Sequence, residues 1–394
     1  MGAAVQLSVT LVDPELDPHA PMWGDAADGW VSPAVDWLGT LTAAGVPVTA
    51  AAEPAKDNGA GLLLLPDPTT FPEHAERAAL TNRPLLTGPP PATASARLTA
   101  VRDALGALVR PDLTGALLLR LDDPGAAVRR HLRGWAHPEV PESTWQALWG
   151  ALRPFGRISL FCCPGWVDAD GTERSSREVN PHEWAALDRA VADGLADLEC
   201  HGYTHLDPNV EEWLRAPDRF DDPDWFRELW PPRHEHEPAW EAQAGRIARW
   251  QRACGPGTAL VAPGEGWGLG TLKAATSRGL RLFCSWGICR LDTPVPTWSR
   301  GVGSPYLDEA ATSWFESPLP AVGYWHDRDM VVHGPAWAPE QLERWRDAGA
   351  RRAYAFADLA RAYATPIDAV LRDGQVEVRS KPDFPLLIEL SDPG

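Results

Sequence analysis

Two histidines, His201 and His205, stand four residues apart in the segment LECHGYTHLDP, directly after a short apolar run. Neutral imidazoles at this spacing can bind one divalent cation if a third ligand comes from elsewhere in the fold. A second apolar run, LLLRLDD, ends in the adjacent carboxylates Asp122 and Asp123. Two strand ends of one parallel sheet can bring Asp123 beside both histidines. The spacing therefore predicts a metal site, with Asp122 left free to act as a base.

Each of these motifs also has a purely structural explanation. Paired histidines occur as satisfied core or surface groups, and two aspartates after a strand often form a turn or cap a helix. The HExxH pattern of zincins is excluded, because Gly202 stands where its catalytic glutamate would be and the segment is too short and glycine-rich for that helix. The two motifs together favour metal binding over the structural explanations.

The composition sets limits on domain number, partners and compartment. With 394 residues, 44% of them hydrophobic, the chain can bury a large core, and its length predicts one large domain with a smaller companion. The formal net charge of -18 argues against nucleic acid or an anionic membrane as a partner, since both bind basic surfaces. The segment MGAAVQLSVTLVDPELD lacks the basic start and apolar core of a signal peptide. We therefore expect a soluble, cytoplasmic protein with its six cysteines reduced.

Strand-like and helix-like segments alternate along most of the chain, which predicts an α/β fold with a parallel sheet. We expect three parts: an N-terminal α/β packing or lid domain at 1–112, a (β/α) barrel or open sheet at 113–365, and a C-terminal β element at 366–394 with a hairpin turn at Asp373-Gly374. Helices are predicted near 35–44, 72–80 and 96–109, and from Pro181 to about Gly194. Strand candidates of the central part are TGALLLRL, RISLFCC, ADLEC, TALVAP, LRLFCSWG, DMVVH and AYAFA. Ligands of such sheets gather at the carboxyl ends of the strands, where both metal motifs would lie.

Tryptophan is unusually frequent, with 20 residues. Many of them will lie in the core. An apolar ring that carries one polar N–H group can also pack against the face of a sugar. We expect substrate contacts from aromatic residues near the polar motifs, namely Tyr203, Trp166, Trp267, Trp286 and Trp325, with Trp337 also close in sequence. A long segment at 207–240, rich in proline, aspartate and tryptophan, is predicted to form a loop over the site. His234 and His236 in this loop are interpreted as solvated residues.

The order of motifs resembles that of the polysaccharide deacetylases of the NodB-homology type, carbohydrate esterase family four. The resemblance covers roughly residues 113–360 on the motifs RLDDPG, HGYTH and MVVH. It implies these roles: Asp122 as base; Asp123, His201 and His205 as metal ligands; His333 as the acid that protonates the leaving amine. His326 competes with His333 for the role of acid. The resemblance also implies a distorted (β/α) barrel and a divalent metal, with Zn²⁺ as the first candidate.

The sequence departs from the family pattern in two motifs. Val261, in LVAPGEGWG, stands where the family has an arginine that steadies the base. Arg120 is the candidate to replace it. The acidic residue that supports the histidine acid is either Asp292 or Asp329.

Together these features predict a metal-dependent hydrolase that removes an N-acetyl or related acyl group from an amino sugar or a small sugar-containing metabolite. Three protein ligands leave coordination positions open for water and a substrate carbonyl, as a catalytic site requires. Two alternatives remain open: a catalytically inactive NodB-like binding or scaffold protein, and a metal-free hydrolase of cyclic amides. Stoichiometric metal in the purified protein would distinguish the first alternative from an enzyme.

Overall fold

The computed structural model describes residues 4–14, 16, 33–53, 61–126, 136–209, 226–231, 236–285, 287–293, 298–299 and 312–391. The strands are β1 (Val5–Gln6), β2 (Val9–Val12), β3 (Val48–Ala51), β4 (Leu62–Leu65), β5 (Leu85–Thr87), β6 (Ala107–Pro111), β7 (Ala116–Asp122), β8 (Ile158–Cys162), β9 (Gly165–Val167), β10 (Glu173–Ser175), β11 (Ala196–Cys200), β12 (Ala259–Val261), β13 (Leu282–Cys284), β14 (Ile288–Arg290), β15 (Trp298–Ser299), β16 (Ala321–His326), β17 (Arg352–Tyr354), β18 (Asp368–Arg372), β19 (Gln375–Ser380) and β20 (Leu386–Leu390). The helices are α1 (Pro33–Ala43), α2 (Pro72–Leu80), α3 (Ala94–Leu105), α4 (Glu142–Leu152), α5 (Ser176–Val179), α6 (Pro181–Ala192), α7 (Trp240–Cys254), α8 (Leu269–Ser277), α9 (Thr312–Phe315), α10 (Asp327–His333), α11 (Trp337–Asp347) and α12 (Phe356–Ala362). Among these helices none is both long and apolar enough to cross a membrane.

The largest sheet of the described chain has nine strands and confirms the predicted α/β class. Its order is β15-β14-β13-β12-β11-β8-β7-β16, and β17 also pairs with β7. Six neighbouring strands of this path run parallel, namely β13, β12, β11, β8, β7 and β16, and β17 is parallel to β7. At one edge, β14 pairs antiparallel with β13, and β15 pairs antiparallel with β14. Helices such as α4, α6 and α7 cover it, and every residue of β7 is buried, as expected for a strand covered on both faces. The sheet curls into a half-barrel, in which β11, β8 and β7 are successive neighbours.

The first part of the chain forms a separate, four-stranded parallel sheet in the order β3-β2-β4-β5. Its apolar residues and those of α1 and α3 pack in one core with residues from the back of the large sheet, including Leu118 of β7. The last strands pair with this first part: β18 lies between β1 and β19, and β20 pairs with β6. The hairpin is formed at Asp373 and Gly374, both with positive φ. The division at 112 and 365 stays a prediction.

Two predicted elements differ from the structure. The segment DMVVH is not a strand but most of helix α10, and the strand of this region is the preceding AVGYWH, which forms β16. A short apolar run does not distinguish strand from helix by periodicity alone, and here the carboxylate of Asp329 binds the backbone N–H of His326 at 2.8 Å and starts the helix. The helix predicted at 96–109 ends at Leu105, because Gly106 adopts a left-handed conformation, and β6 follows.

Candidate active site

Three predicted ligand residues meet at the carboxyl ends of β7 and β11. Asp123 follows β7, and His201 and His205 follow β11, which is separated from β7 by β8 alone. Asp123 Oδ1 lies 3.5 Å from His201 Nε2 and 3.6 Å from His205 Nε2. Ligand atoms around a tetrahedral ion, with bonds of about 2.0–2.2 Å, lie about 3.3–3.6 Å apart. These two distances therefore match a small four-coordinate cation, and all three ligand atoms lie within 4.8 Å of one another.

The protonation and hydrogen bonding of these residues also suit metal ligands. His201 Nδ1 lies 2.9 Å from the backbone carbonyl of Val261, which can only accept a hydrogen bond, so Nδ1 carries the proton and Nε2 keeps its lone pair. Burial lowers the pKa of His201 to about 4, despite the carboxylates beside it, so the imidazole is neutral near pH 7. Asp123 Oδ1 is buried and accepts no hydrogen bond from any described residue. A buried carboxylate oxygen that faces two imidazoles fits a cation between them.

The backbone at the site is strained. Among the described residues, five that are not glycine have a positive φ, and three of these lie here: Asp123 at 62°, His205 at 65° and Glu265 at 57°. Such conformations are costly for residues other than glycine and persist where the surrounding structure enforces them. These backbone conformations orient the neighbouring side chains differently from a regular strand or helix.

Asp122 is held by Arg120 on the same strand. Arg120 Nε lies 3.0 Å from Oδ1 and its Nη2 lies 2.6 Å from Oδ2, so the guanidinium binds the carboxylate through two parallel hydrogen bonds. Burial by itself would raise the pKa of Asp122, but the charge of Arg120 and the proximity of His201 hold it below its usual value. Arg120 therefore has the place expected for the residue that steadies the base. The ring of Tyr324 on β16 lies 4.5 Å from its guanidinium carbon.

Glu265 adds a carboxylate that the sequence motifs did not indicate. It closes a short 3₁₀ turn after β12, with Oε1 3.8 Å from Arg120 Nη2 and Oε2 accepting a short hydrogen bond from the hydroxyl of Ser285. Burial raises the pKa of Glu265 to about 7, although Arg120 opposes the shift, and 30% of the side chain stays accessible. Arg120 is thus shared between two carboxylates, one buried and one accessible.

The two candidate acids have different positions. His326 ends β16 and pairs in register with Asp122 across the sheet, and 25% of its side chain is accessible. Burial alone would lower its pKa, but Asp329, with Oδ2 at 3.5 Å from Nδ1, and the charges of Asp123 and Asp122 raise it. His333 lies at the end of α10, is exposed and stacks on Trp337 at 5.2 Å.

Asp329 and Asp292, the two candidates for the supporting carboxylate, are likewise separated by the structure. Asp329 accepts the backbone N–H of His326, whereas Asp292 forms ion pairs with Arg281 at 2.8 Å and Arg290 at 2.9 Å. The structure therefore brings His326 with Asp329, rather than His333, to the carboxylates of β7.

The predicted aromatic contacts divide in the same way. Trp325 is fully buried between Trp337 and Trp345, and Trp166 is 3% exposed with its N–H donated to Asp168. A buried ring presents no face to a ligand, so these two tryptophans belong to the core and not to a sugar-binding surface.

Two other aromatic residues stay partly accessible. Trp267 is half-buried against Phe283, with ring centroids 4.9 Å apart. Tyr203 is half-buried as well, and its ring lies 3.9 Å from the guanidinium carbon of Arg249. Trp286 and His234 lie outside the described residues.

Sequence reasoning missed several buried polar residues behind the site. Glu228 accepts a backbone N–H of the turn at residues 201–205, which we call the histidine turn. Asp327 Oδ1 lies 3.6 Å from His137 Nε2. Glu183, in the first turn of α6, is 1% exposed, and burial together with the charge of Asp327 raises its pKa well above the usual value. Asn180 does not cap α6 with its side chain; it donates to the carbonyl of Gly125 at 2.7 Å and so joins the helix to the loop after β7. Only their spatial neighbours reveal these roles, because each residue is far in sequence from the group it contacts.

No protein-family model matches the sequence, and no curated protein matches it either. Among solved structures, similar chains are the Xyl-CE4 domain of a multidomain xylanase from the hindgut metagenome of Trinervitermes trinervoides (12% identity, 62% of this chain and 89% of that chain, TM-score 0.34) and a family 4 carbohydrate esterase from Streptomyces lividans in complex with acetate (15%, 60% and 88%, TM-score 0.31). A third is the BpsB deacetylase domain from Bordetella bronchiseptica (14%, 69% and 100%, TM-score 0.30). These three structures are two carbohydrate esterase family 4 domains and a deacetylase domain.

Proposed function

We propose that this protein is a metal-dependent hydrolase that removes an N-acetyl or related acyl group from an amino sugar or a small sugar-containing metabolite. The observation that supports this most directly is the pair of neighbouring carboxylates at the end of β7, Asp122 and Asp123. Asp123 Oδ1 lies at metal-ligand spacing from the imidazole nitrogens of His201 and His205. Beside it, Asp122 is ionised and bound by the guanidinium group of Arg120. An ion site with an adjacent carboxylate that is not a ligand is what hydrolysis by an activated water requires.

The ligand set of two imidazoles and one carboxylate, with ligand atoms within 4.8 Å of one another, favours Zn²⁺. When bound, such an ion lowers the pKa of water and polarises the carbonyl of an acyl group. Asp122 is the base that takes the proton from the attacking water. Its carboxylate is held in one orientation by Arg120, so no rotation is needed as the proton moves.

In this proposal His326, not His333, is the acid that protonates the leaving amine. His326 is accessible, carries a raised pKa and is oriented by Asp329, so it can hold a proton near neutral pH and donate it. It also lies directly across the sheet from Asp122. Base and acid therefore come from adjacent strands, one for each proton transfer of amide hydrolysis.

We also propose that the substrate is small. Part of the segment at 207–240 packs against the metal site: the ring of Phe226 lies 6.4 Å from the ring of His205, and Glu228 is buried beneath the histidine turn. The described residues 226–231 of this segment narrow the approach to the ligands, which suits a monosaccharide or a short conjugate better than a polymer that must pass across the site. Residues 210–225 and 232–235 of the predicted loop lie outside the described residues. Trp267 is one of the two described candidate aromatic residues that stay partly accessible, and we propose that it packs against such a sugar.

The function is tested by separating metal binding from turnover. Protein stripped with a chelator is titrated with Zn²⁺, and acetate release from N-acetylglucosamine is then measured. We expect one ion per chain. Asp122→Asn should keep the ion and lose about 10²–10⁴-fold in kcat, the usual contribution of a general base.

The matched variants remove ligands instead of the base. His205→Ala and Asp123→Asn should bind the ion poorly, because two protein ligands are left. Wild-type protein without metal, or metal-independent acetate release, would contradict the proposal.

A further inference from the structure

The backbone of the histidine turn is bound by one carboxylate, that of Glu228. Three successive backbone N–H groups, those of Tyr203, Thr204 and His205, donate to Glu228 Oε2 at 2.7, 2.8 and 2.8 Å. The Glu228 side chain is fully buried, at 0% exposure. Consecutive N–H groups that converge on one oxygen form an anion-binding nest, and their bonds to a charged acceptor are stronger than those to a neutral one.

The other oxygen of Glu228 is paired with a charge that also holds the turn. Arg246 Nε lies 2.6 Å from Oε1, and Arg246 Nη2 donates to the hydroxyl of Thr204 at 3.0 Å. A buried carboxylate is costly unless its charge is paired and hydrogen-bonded, and here both conditions are met. We call Glu228 and Arg246 the turn clamp.

The clamp also explains the glycine inside the motif HGYTH. A Cβ atom on Gly202 would lie 2.4 Å from Glu228 Oε2 and 2.7 Å from Pro263. Gly202 has a positive φ of 73° as well. A side chain at this position would push Glu228 out of the nest, so the turn and the clamp depend on each other.

The geometry of the turn decides where His205 points. With its φ of 65°, His205 has a backbone conformation that few residues adopt unaided, and its own N–H is one of the three bound by Glu228. His201 is fixed differently, through its side-chain bond to the carbonyl of Val261. The two histidines are therefore oriented by independent contacts, one at the ring and one at the backbone.

We propose that Glu228 and Arg246 are positioning residues that fix His205 for metal binding, so that an ion pair outside the ligand set determines metal affinity. This inference rests on the proposed metal-dependent function. Residues that orient ligands from outside the coordination sphere typically change metal affinity about 10–100-fold when they are replaced. The clamp does so through the backbone of the turn and contributes no ligand of its own.

The test uses Glu228→Gln, which keeps the shape of the side chain and removes its charge. A glutamine whose oxygen accepts the three N–H groups turns its NH₂ group toward Arg246, so one side of the clamp is lost in either orientation. We expect Zn²⁺ affinity, measured by competition with a chromogenic chelator, to fall about 10–100-fold. Arg246→Met should lower it in the same direction, and Arg246→Lys should restore part of the loss.

The matched control is Glu237→Gln. Glu237 likewise accepts backbone N–H groups, from Gly270 at 2.9 Å and Thr271 at 2.8 Å, but at the start of α8 instead of the histidine turn. We expect it to lower thermal stability while Zn²⁺ affinity stays at the wild-type value. Equal loss of affinity in Glu237→Gln and Glu228→Gln would mean a general effect of destabilisation and would overturn the proposal.

Amide hydrogen exchange in the metal-free protein separates the failure of the clamp from that of the proposed function. The amides of Tyr203, Thr204 and His205 should exchange faster in Glu228→Gln than in wild type, whether or not a metal binds. Faster exchange with unchanged Zn²⁺ affinity would overturn the proposal while leaving the metal site intact. Wild-type protein that binds no metal would overturn the proposed function, and unchanged exchange in the variant would refute the clamp itself.

Discussion

Replacing Arg120 by methionine removes the partner of the proposed base and leaves a carboxylate in the protein interior. The side chains of Arg120 and Asp122 are only 3% and 2% exposed, so solvent does not screen the pair. Removal of one partner of such a buried pair costs about 3–5 kcal/mol, against about 0–1 kcal/mol for an exposed pair. Arg120→Met should therefore lower the free energy of unfolding at pH 7 by about 3–5 kcal/mol.

The pH dependence of this loss has a definite sign. In wild type, Arg120 holds the pKa of Asp122 below its unfolded value, so the pair stabilises the fold above that value and the contribution is lost as the pH falls toward the lowered pKa. In Arg120→Met, burial is opposed only by the nearby histidines, so the pKa of Asp122 rises relative to wild type. The variant should then become more stable, relative to wild type, as the pH falls and Asp122 takes up a proton.

Activity should follow the same titration. Because a protonated Asp122 accepts no proton from water, the acidic limb of the kcat/KM profile should move to higher pH in Arg120→Met, with a loss of about 10²–10⁴-fold below that limb. Urea unfolding at several pH values and kcat/KM with excess Zn²⁺ measure the two effects. The double variant Arg120→Met, Asp122→Asn should recover part of the stability and none of the activity. A loss of less than about 1 kcal/mol with an unmoved acidic limb would refute the dependence of Asp122 on Arg120.

Two further predictions concern the acid and the substrate. His326→Gln should lower kcat by about 10²–10⁴-fold, whereas His333→Gln, a change on an exposed ring, should leave it unchanged; the opposite result would restore His333 as the acid. Acetate release from N-acetylglucosamine oligomers should be greatest for the shortest, because the loop carrying Phe226 lies against His205. A steady rise in kcat/KM from monomer to hexamer would instead indicate an open groove.

The grouping of the candidate metal ligands was predictable because their positions follow from local sequence. Apolar runs ending in Asp123 and preceding His201 specify buried parallel strands, and the carboxyl ends of neighbouring parallel strands meet at one edge of a sheet. Arg120 was also within reach of sequence reasoning, since residues two apart on a strand lie on the same face. The start of α6 at Pro181 followed from the preference of proline for the first turn.

Tertiary structure alone decided which other groups join the site. Glu228 lies 23 residues from His205 and Glu265 lies beyond another strand, so only the folded chain brings their carboxylates to the turn and to Arg120. The preference for His326 over His333 as the proposed acid depends on where β16 ends and α10 begins, and the sequence around residues 326–333 does not fix that boundary. Whether Trp325 faces a ligand or the core depended on Trp345 from another helix. Local sequence indicates where long apolar runs form buried strands, whereas the type of a short run such as DMVVH, burial and charge pairing depend on neighbours that are distant in the chain.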